Sequence, residues 1–341
     1  MTISKKRILT CIAAASIPLF FACSDDKPSS PTSDNNDPVS SESATLPESS
    51  TIAPEQSSSR VETPDIIVSS ATDPLVVESS SSTEVVPESS SARFREPTEE
   101  EIAQEREFTA NSATTDFQDL PSVYKSLDPT DKVAFVIRHA QREKSTGVES
   151  QLTEKGIEQS KTLGTYLVSD EDFSYGSTDF VRTRATAQYI SEGRGQTFPE
   201  PIVLPELVAS TFVASSEKFN ELKSAAGYDD EAFMYSQWAF DGDFAEAFND
   251  LEKTGVQIIT QAILPRMSTE NRVNFFISHD MFLGPLVAYC TNRKLTILRK
   301  HATVTEDCKD CRWIKYLEGI AIIVKADGTR KYVPVSGNMM N

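Results

Sequence analysis

The sequence predicts an α/β fold built around a sheet of buried strands. Two apolar runs carry this expectation, Val133-Ala134-Phe135-Val136-Ile137 and Val273-Asn274-Phe275-Phe276-Ile277, both rich in β-branched and aromatic residues. Strands of that composition suit a sheet covered by helices on both faces. The third observation concerns histidine. The chain holds only three, and two of them, His139 and His279, close these runs. In α/β sheets the carboxyl ends of the strands are where ligands bind.

Taken in order, residues 1–23 have the form of a signal peptide. Lys5, Lys6 and Arg7 make a basic start, Ile8 to Phe21 an apolar stretch, and Ala22 a small residue before Cys23. At 14 residues the apolar stretch is short for a membrane span. Ala22-Cys23-Ser24-Asp25-Asp26 resembles a bacterial lipoprotein processing site, with Phe20 where leucine is usual. Lipidation of Cys23 and attachment to a membrane through that lipid are expected, with simple secretion as the alternative. Either places the rest of the chain outside the cytoplasm.

Residues 24–96 are dominated by Ser, Pro, Thr and acidic residues and repeat one phrase loosely: LPESS (46–50), APEQSSS (53–59), VVESSSS (76–82) and VVPESSS (85–91). Such a composition buries too little apolar surface to offset its ordering entropy, so a disordered tether is expected. Its root-mean-square reach is on the order of 50 Å. Residues 24–130 carry 22 acidic and 6 basic residues, a net of −16, whereas residues 131–341 carry a net of −5. The acidity therefore belongs to the arm and says little about a substrate. There is no basic face and no aromatic-basic interleaving of the kind nucleic-acid binding needs, and no protein partner is implied.

About 210 residues remain for one domain with a substantial core. PTEEEIAQEREF, within the lead-in 97–119, predicts a short helix, with Thr98 and Glu101 spaced as a capping box. The domain proper, 120–341, begins with the strand ending at His139. Thr153 then caps a helix whose Gly156, Ser160 and Gly164 form a small-residue stripe suited to close packing against the sheet. Ser174-Tyr175-Gly176-Ser177 reads as a turn. The helix after it places Arg182 and Thr186 one turn apart, with Arg182 near a helix N-terminus, a ready anion site; Arg184 reads as a solvated surface residue. Ile202-Val203-Leu204 reads as a strand before Glu206.

Between 208 and 243 lies an aromatic-rich insertion with Phe212, Phe219, Tyr228, Phe233, Met234, Tyr235, Trp238 and Phe240. Core packing is expected for most of them, with a lid over a pocket as the alternative. Phe244, Phe248, Leu251, Ile258, Ile259 and Ala262 keep helical spacing into the strand that ends at His279. GIAIIVK (319–325), Asp327-Gly328 and KYVPV (331–335) read as a hairpin. Cys290, Cys308 and Cys311 favour one disulfide and one leftover thiol outside the cytoplasm; a lone Cys-x-x-Cys is weak evidence for zinc. No motif surrounds His301.

Four blocks stand out together: Arg138-His139-Ala140-Gln141-Arg142, LTEKGIEQSKTLGTYL (152–167), STDFVRTRATA (177–187) and ISHD (277–280). In kind and order they resemble the histidine phosphatase superfamily, which includes the phosphoglycerate mutases and the histidine acid phosphatases. The resemblance covers roughly residues 120–335. It implies a three-layer sandwich with a mostly parallel sheet flanked by helices, phosphoglycerate mutase-like, with residues 208–243 as its helical, aromatic insertion. It also implies that His139 is the nucleophile, that Arg138 and Arg182 clamp the phosphoryl oxygens, and that His279 hydrogen-bonds the phosphoryl group. Arg142 falls where the acid-phosphatase branch carries a further phosphate-binding arginine, and Asp280 on that branch's proton donor. Glu206 lies close to where the mutase-like branch places its acid. Two features depart from the family pattern: Ala140 comes after His139 where glycine is common, and no proline follows Arg142 at the acid-phosphatase spacing.

The chemistry asks for these residue types. Phosphoryl transfer is mostly positioning and stabilisation of oxygen charge, so several cations should converge on one spot. A neutral imidazole can attack phosphorus and divide hydrolysis into two displacements, and a carboxyl group can protonate the departing alkoxide. The scheme implies no metal and no cofactor. The expected activity is phosphomonoester hydrolysis of a small phosphorylated substrate. The alternatives are a non-catalytic phosphate- or glycan-binding lipoprotein, which would need the arginines more than the imidazoles, and a phosphomutase, whose glycolytic esters are cytoplasmic.

Overall fold

The computed structural model describes residues 94–226, 231–295 and 313–338. The expected signal peptide, Cys23, most of the tether, Tyr228, His301, Cys308 and Cys311 lie outside the described residues.

Thr98 opens the first helix, α1 (Glu99–Asn111): its hydroxyl accepts the Glu101 N–H while the Glu101 carboxylate accepts the Thr98 N–H. This is the reciprocal cap that the spacing predicts. The helix docks, burying Ile102 and Phe108 in the core. Next along the chain are β1 (Gln118–Asp119), α2 (Leu120–Lys125), β2 (Lys132–Arg138), α3 (Glu154–Thr165), β3 (Phe173–Ser177), α4 (Val181–Gly193) and β4 (Ile202–Val203). The second half comprises α5 (Ser216–Ala226), α6 (Glu231–Asp241), α7 (Leu251–Gln257), β5 (Val273–Ser278), α8 (Asp280–Cys290), β6 (Glu318–Val324) and β7 (Arg330–Ser336). Among the described residues no helix is long and apolar enough to cross a membrane.

The strands form one seven-stranded sheet in the order β1-β7-β6-β2-β5-β3-β4. From β2 to β4 all neighbours are parallel, and the β6–β7 hairpin joins antiparallel to β2. The fold is thus α/β with a mostly parallel sheet between helical layers. Side chains alternate between the two faces: Ala134 and Val136 enter one core, Val133, Phe135 and Ile137 the other. Two polar residues interrupt β5, Asn274 and, at its end, Ser278. Asn274 is fully buried, but its amide donates to the Val133 carbonyl and its oxygen accepts the Ser268 N–H.

Register places the site. β2 and β5 pair with Arg138 level with Ser278, so His139 and His279 leave the sheet side by side. The His139 N–H donates to the Ser278 carbonyl at 3.0 Å and locks that alignment.

Three expectations need correction. Ser174 to Ser177 do not turn but belong to β3, an interior strand, because there is no room for larger residues. A Cβ at Gly176 would lie 2.6 Å from Leu204 Cδ1 and 2.8 Å from Phe276 Cδ1. The Gly156-Ser160-Gly164 stripe packs on chain other than the sheet. A Cβ at Gly156 would sit on the Gln141 carbonyl oxygen, and one at Gly164 on that of Ile190 in α4, while Gly193 of α4 meets Lys161 of α3 in return. Phe244 and Phe248 precede the helix: Phe244 has φ +60°, Phe248 bridges to Val213, and Asp250 caps α7 through the Lys253 N–H. The rings of the insertion pack as core, with Trp238 stacked on Phe248 at 4.5 Å and Phe212 5.5 Å from Trp238.

The α3–α4 crossing generates a prediction. Gly164→Ala forces a methyl onto backbone that cannot yield, an overpacking cost of about 1–3 kcal/mol. Gly147, with nothing within 4 Å of a Cβ, is the control. Chemical denaturation should show Gly164→Ala destabilised by that amount and Gly147→Ala within about 0.5 kcal/mol of the parent.

Candidate active site

His139 is 2% exposed, at the end of β2. Its Nδ1 lies 2.7 Å from the Ala140 carbonyl. A carbonyl oxygen only accepts, so Nδ1 carries the hydrogen and Nε2 keeps its lone pair. Burial is the main force pushing this imidazole's pKa well below the ordinary histidine value. The Ala140 bond opposes it, and Arg138, His279 and Arg182 reinforce it. The ring is therefore neutral. The Ala140 N–H donates in turn to the Thr186 hydroxyl, which donates to the Arg182 carbonyl, tying the loop after β2 to α4.

His279 sits at the N-terminus of α8, its ring 5.5 Å from that of His139 and inclined at 65°. Arg182 donates to its Nδ1 at 3.3 Å, so Nε2 carries the hydrogen and donates to the Thr178 hydroxyl at 2.9 Å. Burial first and Arg182 second pull its pKa down to about 3, with Asp280 opposing. This imidazole is neutral too.

Around the two rings stand three arginines. Arg138 donates to the Ile314 carbonyl at 2.7 Å, pairs with Asp280 at 3.0 Å and lies 4.4 Å over the Tyr316 ring. Arg182 donates to the Gly147 carbonyl at 2.8 Å and stacks on Phe180, while its Nε is buried without a partner. Burial, then repulsion from Arg142, pulls its pKa to about 10, so it remains charged at neutral pH. Two neutral rings and the guanidinium groups of Arg138, Arg142 and Arg182 make a buried site suited to an anion with several oxygens.

The histidine phosphatase superfamily (branch 1) model matches residues 134–314. The chain belongs to this superfamily. No curated protein matches it. Among solved structures it is similar to a phosphoglycerate mutase from Bacillus anthracis, at 17% identity and TM-score 0.39, over 62% of this chain and 94% of that one. It is also similar to a phosphoserine phosphatase variant from Entamoeba histolytica in complex with phosphoserine, at 16% identity and TM-score 0.37, over 61% and 99%. A third is the protein histidine phosphatase SixA complexed with tungstate, at 15% identity and TM-score 0.30, over 61% and 99%.

This superfamily member thus brings five of the expected residues, Arg138, His139, Arg182, His279 and Asp280, into one cluster. Asp280 is the first residue of α8 and does not cap it; its Oδ2 accepts from Arg138 and from the Trp313 indole N–H at 2.9 Å. Arg142 acts on Arg182 and His279 through its charge, yet its own guanidinium donates to the carbonyls of Glu143, Lys144 and Ser145. Glu206 is held by Arg266 at 3.0 Å. Its neighbour Leu207 accepts the Ser278 hydroxyl, one residue before His279, and Glu206 Oε2 is buried without a partner. Trp313, Tyr316 and Thr178 are site residues that the sequence does not announce. Thr178 lies within the STDFVRTRATA block, just past the end of β3, where nothing marks it for a role, and the other two belong to no motif. Among the described residues no group of three or more His, Cys, Asp or Glu could hold a metal.

The depressed pKa of His279 predicts an acid sensitivity. In the unfolded chain this imidazole protonates near pH 6.5, whereas in the fold it stays neutral to about pH 3. The unfolded state therefore binds the extra proton first, and stability falls as pH drops below 6.5. From pH 7 to pH 5 the contribution amounts to roughly 2 kcal/mol. Denaturation at the two pH values should show His279→Gln losing less stability on acidification than the parent, by about that amount.

Proposed function

We propose that this protein is an extracytoplasmic phosphomonoesterase that works through a phosphohistidine on a small phosphorylated metabolite or envelope glycan phosphate. One observation carries the reading: His139 Nδ1–H is fixed on the Ala140 carbonyl, so the Nε2 lone pair of a neutral imidazole is free beside several guanidinium groups. Nε2 attacks phosphorus, the ester P–O bond breaks, and the leaving oxygen takes a proton. Water then attacks the phosphoimidazole, the P–N bond breaks, and phosphate departs with His139 restored. Arg138 and Arg182 hold the equatorial oxygens and Arg142 adds charge at longer range. His279 meets the phosphoryl group as charge shifts. The address rests on the signal-like start, Cys23 and the tether.

Asp280 is the proposed proton donor because it starts α8 directly after His279 and lies close enough for its charge to bear on His279 and Arg182. It pairs with Arg138 as a carboxylate, so the proton it passes on enters with the substrate as the ester monoanion. The Oε2 of Glu206, buried without a partner, favours the second reading, in which Glu206 is the acid. A mutase would return an isomerised ester in place of inorganic phosphate, and a pure binding module would saturate without turnover.

His139→Ala should fold, retain phosphate affinity and release no phosphate from a nitrophenyl ester; turnover at the parental rate would sink the mechanism. The donor is read with two esters. Asp280→Asn should slow an alkyl phosphate by about 10²–10⁴ while nearly sparing a nitrophenyl phosphate, whose leaving group departs without a proton. If Glu206→Gln shows that selective loss instead, Glu206 is the acid.

A further inference from the structure

We propose that the organic half of the substrate is planar and largely apolar and lies in a cavity of about 480 Å³ beside Arg138, walled by Trp313, Ile314 and Tyr316. The inference rests on the phosphatase reading and narrows it: of the two substrate classes proposed it keeps the small metabolite and sets the glycan phosphate aside. Arg138 belongs both to the cavity and to the cluster around His139. Tyr316 joins the two spaces, because its ring lies 4.4 Å from the Arg138 guanidinium carbon and 5.8 Å from the His139 ring. An ester whose phosphorus sits at His139 Nε2 therefore has its leaving group directed past Tyr316.

The lining states the chemistry. An indole, a phenol ring and an isoleucine supply the walls, while Lys315, Gln159 and Asn338 supply the polar groups. Among the described residues no carboxylate lines the cavity. A polyhydroxylated sugar would have few acceptors for its hydroxyls, and a carboxylated triose ester would leave the ring faces uncovered. A group of one or two fused rings covers them, and the volume falls within the range of ordinary ligand pockets.

Trp313 links this cavity to the chemistry. Its ring packs on α8, with its Cη2 2.8 Å from where a Cβ on Gly284 would lie, and its Nε1–H holds Asp280. On this reading the leaving oxygen departs between the ring wall and the Asp280 carboxyl group proposed to protonate it.

The test uses the full-length protein and three esters of aliphatic alcohols, so that leaving-group chemistry stays matched: 2-naphthylmethyl phosphate, glycerol 2-phosphate and glucose 6-phosphate. The naphthylmethyl ester should be favoured in kcat/KM by roughly 10- to 100-fold, mainly through KM, as burial of a ring system implies. Trp313→Ala should raise KM for that ester about tenfold, of the order expected for losing one apolar wall. Because Trp313 also holds Asp280, this variant should slow kcat on every alkyl ester, so the deciding readout is the ratio of KM for the naphthylmethyl ester to KM for glycerol 2-phosphate, which should rise about tenfold. Trp313→Phe keeps a ring and loses the N–H, so KM should hold while kcat falls on the alkyl esters and not on nitrophenyl phosphate. Equal kcat/KM for the three esters, or preference for either polyol ester, overturns the inference. Absence of phosphate release from every ester overturns the phosphatase reading instead. In that event calorimetric affinity for 2-naphthylmethylphosphonate against ethylphosphonate decides the cavity's role, equal affinity rejecting it.

Discussion

The site depends on one alignment, the level parallel pairing of β2 with β5. Because Arg138 stands opposite Ser278, the next residue on each strand is a histidine, and the two rings come 5.5 Å apart. Side chains alternate between faces, so a slip of one residue would send one ring to the opposite side of the sheet. The register is held by burial on both faces, by the His139 N–H on the Ser278 carbonyl, and by the Asn274 amide on Val133 at the other end of the pair. Arg182 arrives on α4, which can reach the rings because glycines let α3 and α4 touch backbone to backbone. The geometry of the site is thus set by strands that are buried on both faces.

Electrostatics then derive from dryness. Two imidazoles placed close together among arginines cannot both be protonated, and burial removes the water that would help. Their depressed proton affinities leave the arginines as the charge carriers, and among the described residues Asp280 is the carboxylate paired with them. A phosphoryl group bound there would offset the mutual repulsion of the guanidinium groups. Such preorganised charge in a low-dielectric site is worth more than the same groups in water.

Much of this is legible in the chain. Runs such as VAFVI and VNFFI announce interior strands because both faces are buried, and Thr98, Thr153 and the Asp327-Gly328 turn declare their elements locally. What stays hidden is tertiary. Ser174-Tyr175-Gly176-Ser177 has turn-like composition, yet its neighbours on β5 and Leu204 demand small residues in a strand. Phe244 and Phe248 mimic helical spacing but are core rings on an irregular approach to α7. Trp313 and Tyr316 reach the site from about 175 positions after His139, and no local pattern marks a contact made across that separation.

The same hairpin that borders β2 also fastens the start of the domain. Glu105 of α1 is fully buried and is bonded by the Tyr332 hydroxyl and paired with Arg330, both on β7. Burial raises its pKa while those two partners hold it down. Ser112, the residue ending α1, accepts the Tyr332 N–H at 2.9 Å. A buried pair of this kind adds little net stability, but losing one member leaves the other charge uncompensated at a cost of about 3–5 kcal/mol. Its contribution is therefore one of position: α1 has a single seat on the outer side of the hairpin. Through β7 and β6 that seat is one strand removed from β2, which carries His139. The helix that ends the acidic arm is thus structurally continuous with the sheet that aligns the two histidines.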